Sequence, residues 1–186
     1  MSWCLMVSNN ETIRQQEQVA FDSVRSQEER NKCGQFATPY ELAKTIAEDL
    51  LSRIPSSSHI LEPACGTGSF ISALSSLSDS LKITGIEKDS SLSAIAQRLW
   101  ASDSCHIINT DFFDYASLES GLFDAIISNP PYSRHHHLSQ SEKRFYSQLA
   151  VSFSGVSLSG LAGLHAYFLL VGTGMLKTGG VGSWLI

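Results

Sequence analysis

Asn129-Pro130-Pro131-Tyr132 is the segment of this chain best suited to chemistry. It follows a short apolar run, Phe123 to Ser128, that reads as a buried strand ending in a polar loop. Two consecutive prolines cannot continue a hydrogen-bonded ladder, and each fixes its own φ. The loop is therefore stiff and sits at the carboxyl end of a strand, where open α/β sheets bind their ligands. It offers an amide side chain from Asn129, a backbone carbonyl from Pro130 and the ring of Tyr132. Two acceptors and one ring suit a planar exocyclic amine: the acceptors take its hydrogens while the ring stacks on the heterocycle.

A second group lies upstream. Leu61-Glu62-Pro63-Ala64-Cys65-Gly66-Thr67-Gly68-Ser69-Phe70 reads as a strand, a glycine-bearing loop and the start of a helix. Gly-x-Gly alone also fits an ordinary tight turn. Here Glu62 ends the strand, Gly66 and Gly68 let backbone approach a ligand, and Glu87 closes the next strand, Ile83 to Glu87. An acid at the end of a second strand is placed to accept from both ribose hydroxyls of a nucleoside. A nicotinamide dinucleotide would use the same arrangement. However, the third glycine of its fingerprint is missing, with Phe70-Ile71 in its neighbourhood, and Glu62 would face the phosphates. S-adenosyl-L-methionine, with cationic groups and no phosphates, fits better. Asp111, followed by Phe112 and Phe113, is either an acceptor for an adenine amine beside a covering ring or a loop aspartate beside core phenylalanines.

These residues need a scaffold of strands and helices. Thr38-Pro39-Tyr40-Glu41 reads as a capping box opening a helix from Pro39 to about Arg53, with Leu42, Ile46 and Leu50 as its core stripe. Apolar runs at His59-Leu61, Leu81-Ile86, Cys105-Asn109, Phe123-Ser128 and Val181-Ile186 alternate with helical stretches at Ser69-Leu77, Ser90-Ala101 and within Ser139-Lys177. The alternation predicts an α/β fold: a doubly wound, mostly parallel sheet with flanking helices. One or two helices and a functional loop are expected in the last, long connection. Residues 1–32 are polar and show no clear core stripe, so they are expected to be an extension, helical or frayed, before a catalytic domain over 33–186. Because the sequence stops on the apolar run Val181-Ile186, the fold is expected to be incomplete at its C-terminal end.

Composition narrows the function. The chain has 186 residues, 42% of them hydrophobic and 17% charged, enough for one sizeable core. No apolar run approaches the roughly 20 residues of a membrane span, and no secretory signal begins the chain, so a soluble cytoplasmic protein is expected. Cys4, Cys33, Cys65 and Cys105 are widely spaced, and three adjacent histidines, His135 to His137, point in different directions in an extended loop. No metal site is expected from either group. A formal charge of −5 argues against strong nucleic-acid binding unless a local patch, such as Arg134 with Lys143 and Arg144, or another region supplies it.

Taken in order, Gly34-Gln35-Phe36-Ala37-Thr38-Pro39, Glu62-Pro63-Ala64-Cys65-Gly66-Thr67-Gly68-Ser69-Phe70, Glu87, Asp111-Phe112 and Asn129-Pro130-Pro131-Tyr132 resemble the N6-adenine DNA methyltransferases of restriction–modification systems. The order is similar to their gamma arrangement. Leu164 to Phe168 and Leu176 to Gly180 are similar to the helix and turn before that family's fifth strand. The resemblance covers about Gly34 to Ile186. It implies a class I, Rossmann-like fold that uses S-adenosyl-L-methionine. It also implies that Thr38 contacts the methionine carboxylate, that Glu62 and the backbone of Ala64, Cys65, Gly66 and Gly68 surround the methionine, and that Glu87 holds the ribose. Asp111 would take the cofactor's adenine amine, and Phe112 and Phe168 would sandwich its ring. Asn129, Pro130, Pro131 and Tyr132 would form the catalytic loop around a target adenine extruded from double-stranded DNA.

The resemblance thus implies methylation of adenine N6 in DNA. The family's further strands and target-recognition domain do not follow the fifth strand here, so a second chain or domain is expected to supply them. RNA adenine and protein glutamine methyltransferases carry a similar loop and remain alternatives, as does a fragment that binds the cofactor without catalysis.

Overall fold

The computed structural model describes residues 3–26, 36–118, 122–133 and 138–186. Cys33, Gly34, Gln35 and the run Arg134-His135-His136-His137, all named above, lie outside the described residues.

Five strands form one parallel sheet: β1 (His59–Glu62), β2 (Lys82–Glu87), β3 (Cys105–Asn109), β4 (Phe123–Ser128) and β5 (Leu176–Trp184), in the spatial order β3-β2-β1-β4-β5. Strands β1 and β2 are buried along nearly their whole length because parallel strands are covered on both faces. Side chains alternate between the two coverings. Ile60, Ile83, Ala125 and Ile127 enter one core with helices α1 (Trp3–Ser23), α2 (Tyr40–Leu51), α3 (Ser69–Leu77) and α4 (Ser90–Trp100). Leu61, Ile86 and Ile126 enter the other, with α5 (Phe112–Ala116), α6 (Gln140–Ser154) and α7 (Leu164–Met175). The expected α/β, doubly wound architecture is present, and the long last connection holds two helices. Among the described residues no helix is long and apolar enough to cross a membrane.

Four local readings need correction. Helix α2 begins at Tyr40 with Pro39 as its N-cap and no side-chain cap. The Thr38 hydroxyl accepts from Asn129 instead, so a tertiary hydrogen bond displaces the expected capping box. The buried stripe of α2 is Ala43, Ala47 and Leu50, while Leu42 is 40% exposed. Small alanines allow close approach to α3, so the helix is rotated from the face its larger residues mark. The last strand is also different. Its regular part pairs Val181 through Trp184 with Ala125 through Ser128, the register shifts before Ala125, and Ile186 is exposed rather than part of a buried strand.

Helix α1 also differs from the sequence expectation. It has a core-facing stripe, but a polar one: Val7, Glu11 and Arg14 are all buried. Arg14 and Glu11 form a two-pronged ion pair, with Nε–Oε2 and Nη2–Oε1 both at 2.7 Å. Apolar periodicity cannot register a stripe whose buried members satisfy one another by charge.

Candidate cofactor and amine site

In the order β3-β2-β1-β4-β5 the chain reverses direction between β1 and β4, which is where doubly wound sheets open a crevice at the strands' carboxyl ends. A cavity of about 510 Å³ lies there. The tips of three strands reach it: Glu62 from β1, Glu87 from β2 and Asn129 just after β4.

The glycine loop turns on backbone that only glycine adopts without strain: φ is +56° at Gly66 and +93° at Gly68. A Cβ on Gly68 would lie 2.6 Å from two ring atoms of Trp100, whose Nε1 donates to the Thr67 carbonyl at 3.0 Å. Glu87 ties this loop to the next one. Its Oε2 accepts from Gly66 N at 2.8 Å and its Oε1 from Asp89 N at 2.7 Å. Burial raises the Glu87 carboxyl above its ordinary range, against the lowering effect of those backbone donors.

Glu62 is 2% exposed, and its Oε2 has no hydrogen-bond partner among the described residues. Burial, and then the Glu87 carboxylate, hold its carboxyl well above the usual range; Arg14 and a backbone hydrogen bond from Ile71 pull the other way. A buried acid left with an orphan oxygen is a place for a cationic ligand group.

Asn129 has a similar vacancy. Its Nδ2 donates to the Phe36 carbonyl at 3.2 Å and to the Thr38 hydroxyl at 3.1 Å. A carbonyl oxygen can only accept, so this pairing fixes which end of the amide is nitrogen. The other end, Oδ1, is buried and has no partner among the described residues. Thr38 is itself buried, and its carbonyl accepts from Ser69 Oγ at 2.6 Å, which joins the Asn129 loop to the start of α3.

Most residues singled out from sequence meet in this cavity: Thr38, Glu62, Ala64, Cys65, Gly66 and Glu87 on one part of the wall, and Asp111, Phe112, Phe168, Asn129 and Pro131 on the rest. Gly68, Pro130 and Tyr132 are not in its lining. Tyr132 instead donates its hydroxyl to the Leu185 carbonyl at 2.7 Å, with its ring 5.9 Å from that of His165. Asp111 caps α5 through Phe113 N at 2.8 Å and pairs with Lys88 at 2.9 Å, so it is already engaged by two partners. Phe112 and Phe168 stack on each other, centroids 4.9 Å apart and planes 27° apart. Adenine between them would need about two ring-contact distances of 3.5–4.0 Å each, so in this arrangement only one of them can face it.

Residues 23–158 match the family described as N-6 DNA Methylase. The chain belongs to that family. It is 36% identical over 118 residues to the modification methylase CviBIII of Paramecium bursaria Chlorella virus NC1A, covering 60% of this chain and 29% of that one. It is 28% identical over 159 residues to the type II methyltransferase M.XamI of Xanthomonas campestris pv. amaranthicola, covering 83% of this chain and 30% of that one. The chain thus spans under a third of the length of those two relatives. A solved structure described as a class I S-adenosylmethionine-dependent methyltransferase from Listeria monocytogenes shares the fold, with a TM-score of 0.69 at 23% identity over 95% of this chain and 54% of that one.

The cavity also has walls that sequence reasoning passed over. Gln18, Phe21 and Asp22 come from α1, and Phe36 is half exposed beside Asn129. The signal for the first three was available as a helical repeat running from Val7 through Glu11, Arg14 and Gln18 to Phe21, had polar residues been counted.

Proposed function

We propose that this chain carries the catalytic centre that transfers a methyl group from S-adenosylmethionine to the N6 amino group of adenine in DNA, within a restriction–modification system. The observation that supports this most is the Asn129 amide: its nitrogen is held by two acceptors, and its buried Oδ1 lacks a partner in the cavity shared with Glu62 and Glu87.

The donor set suits the cofactor. Two buried carboxylates and an orphan Glu62 oxygen favour sulfonium and ammonium groups, and Gly66, where an added Cβ would meet nothing within 4 Å, leaves room for close approach. When bound, S-adenosylmethionine supplies an electrophilic methyl group. Glu62 and the loop from Ala64 to Gly68 would hold its methionine end, Glu87 its ribose and Asp111 its adenine amine, with Phe112 or Phe168 against the ring.

The work on the target base falls to the Asn129 loop. Adenine N6 is a weak nucleophile because its lone pair is delocalised. Asn129 Oδ1 takes one amino hydrogen and the Pro130 carbonyl the other, which favours a pyramidal nitrogen and exposes the lone pair. The contribution is positioning and preorganised polarity. Tyr132, which lies outside the cavity lining with its hydroxyl on the Leu185 carbonyl, would stack on the extruded base and return about 1–3 kcal/mol of the extrusion cost. With a formal charge of −5, duplex affinity rests on local cations such as Lys143 and Arg144 of α6, or on a partner chain or domain.

Transfer of tritiated methyl to DNA, RNA and protein pools, followed by hydrolysis, tests the reading. It predicts label in DNA as N6-methyl-2′-deoxyadenosine. Label confined to RNA adenine or to protein glutamine overturns the substrate. Cofactor uptake without label in any pool supports a binding fragment instead.

A further inference from the structure

We infer that helix α1, nearly all of which precedes the matched span 23–158, is a functional wall of the cofactor cavity, with Gln18 fixing the glycine loop and Asp22 contacting the bound cofactor itself. The inference rests on the cofactor reading above and names residues that reading does not use.

The helix is tied to the glycine loop at one end of the stretch that matters and, just past its other end, to the turn after β2. Thr67, between the two glycines, donates its hydroxyl to Gln18 Oε1 at 2.9 Å and accepts from Arg14 Nη1 at 3.2 Å. Just past the helix, Arg25 pairs with Asp89 at 2.7 Å and lies 4.0 Å over the ring of Phe21. Asp89 is two residues from Glu87 and donates its backbone N–H to that carboxylate. The segment from Gln18 to Arg25 therefore spans the distance from the glycine loop to the loop behind the ribose acid. Phe21 and Asp22 lie between these anchors and line the cavity. Asp22 Oδ1 accepts from Gln18 Nε2 at 3.1 Å, which orients the carboxylate. A carboxylate has about four acceptor positions, so Asp22 retains capacity for a ligand donor. The chemistry it fits is a hydroxyl or ammonium of the cofactor, beside the backbone that Gly66 and Thr67 present.

A purely structural cap would be built differently. Asn10 donates to the Leu99 carbonyl at 2.7 Å, and Arg98 pairs with Glu17 at 2.6 Å; these attach α1 to α4 without lining the cavity. Glu17 thus provides a control on the same helix.

Calorimetric titration with S-adenosylmethionine decides the point, alongside melting of the ligand-free proteins. Asp22→Asn and Gln18→Leu should each weaken binding about 5- to 20-fold, the loss of one charged or loop-fixing hydrogen bond. Asp22→Asn should melt within about a degree of the parent, and Glu17→Gln should bind as the parent does. If the parent binds and both cavity variants bind equally well, or their melting points fall while affinity holds, α1 is only a structural cap and the inference fails alone. A parent that takes up no cofactor overturns the underlying reading and this inference with it.

Discussion

Thr38→Val is the perturbation that most sharply separates orientation of Asn129 from binding of the cofactor. Valine matches threonine in shape but removes the hydroxyl that accepts from Asn129 Nδ2 at 3.1 Å. The Phe36 carbonyl at 3.2 Å then holds the amide alone. Thr38 backbone contacts, including the bond from Ser69 Oγ at 2.6 Å, are untouched. One hydrogen bond in a buried site is worth about 0.5–1.5 kcal/mol net, and more where a donor is left unpaired. If that energy keeps Oδ1 toward the amine, its loss lowers the transfer rate by about 3- to 20-fold. Single-turnover methyl transfer at saturating cofactor is the assay, with cofactor affinity measured separately. The account predicts a fall in rate with affinity little changed, and recovery in Thr38→Ser, which restores the hydroxyl. A loss that falls wholly on cofactor affinity would favour the methionine-carboxylate role and refute the orienting one. So would a serine variant as slow as the valine.

Three further outcomes follow from the same geometry. Asn129→Ala should cost about 10²–10³ in single-turnover rate, by analogy with removal of a preorganised polar group, and Tyr132→Ala less, since it leaves both acceptors in place; the reverse order contradicts the assignment. Glu62 is held above its ordinary value of 4.5 by burial, so its contribution to ligand-free stability is complete at low pH and is lost as pH rises through the raised value. Glu62→Gln should therefore melt about 2–4 °C higher than the parent at neutral pH, show a flatter dependence on pH, and bind the cofactor more weakly; an unchanged melting profile would count against the buried acid. Arg14→Leu removes the counter-ion of the buried Glu11 carboxylate, leaving it the Gln15 amide, and should cost about 3–5 kcal/mol in urea denaturation, whereas replacing both Glu11 and Arg14 with apolar residues should recover most of it.

Much of the fold was legible because each strand carries a short cluster of apolar residues between helical stretches. His59-Leu61, Cys105-Asn109 and Phe123-Ser128 could be read directly, and the acids at strand tips followed. What was not legible has physical causes. The face of α2 is set by how closely Ala43 and Ala47 pack, not by the bulk of Leu42. The Thr38 cap signal was locally sound, but Asn129, far along the chain, takes that hydroxyl. The stripe of α1 is stabilised by Glu11 and Arg14 pairing with each other, which hydropathy scores as surface. In the cavity, spacing put Phe112 and Phe168 near one another but could not show that the rings would stack on each other at 4.9 Å. Nor could it show the Tyr132 hydroxyl bound to the Leu185 carbonyl.

A crystal structure of the chain soaked or grown with S-adenosylmethionine tests the central claim most directly. The account predicts ribose hydroxyls on Glu87, the ammonium group near Glu62, and the sulfonium methyl on the side of the cavity where Asn129 Oδ1 sits. A cofactor bound outside this cavity, or an Asn129 amide turned so that its nitrogen faces the methyl, would contradict it.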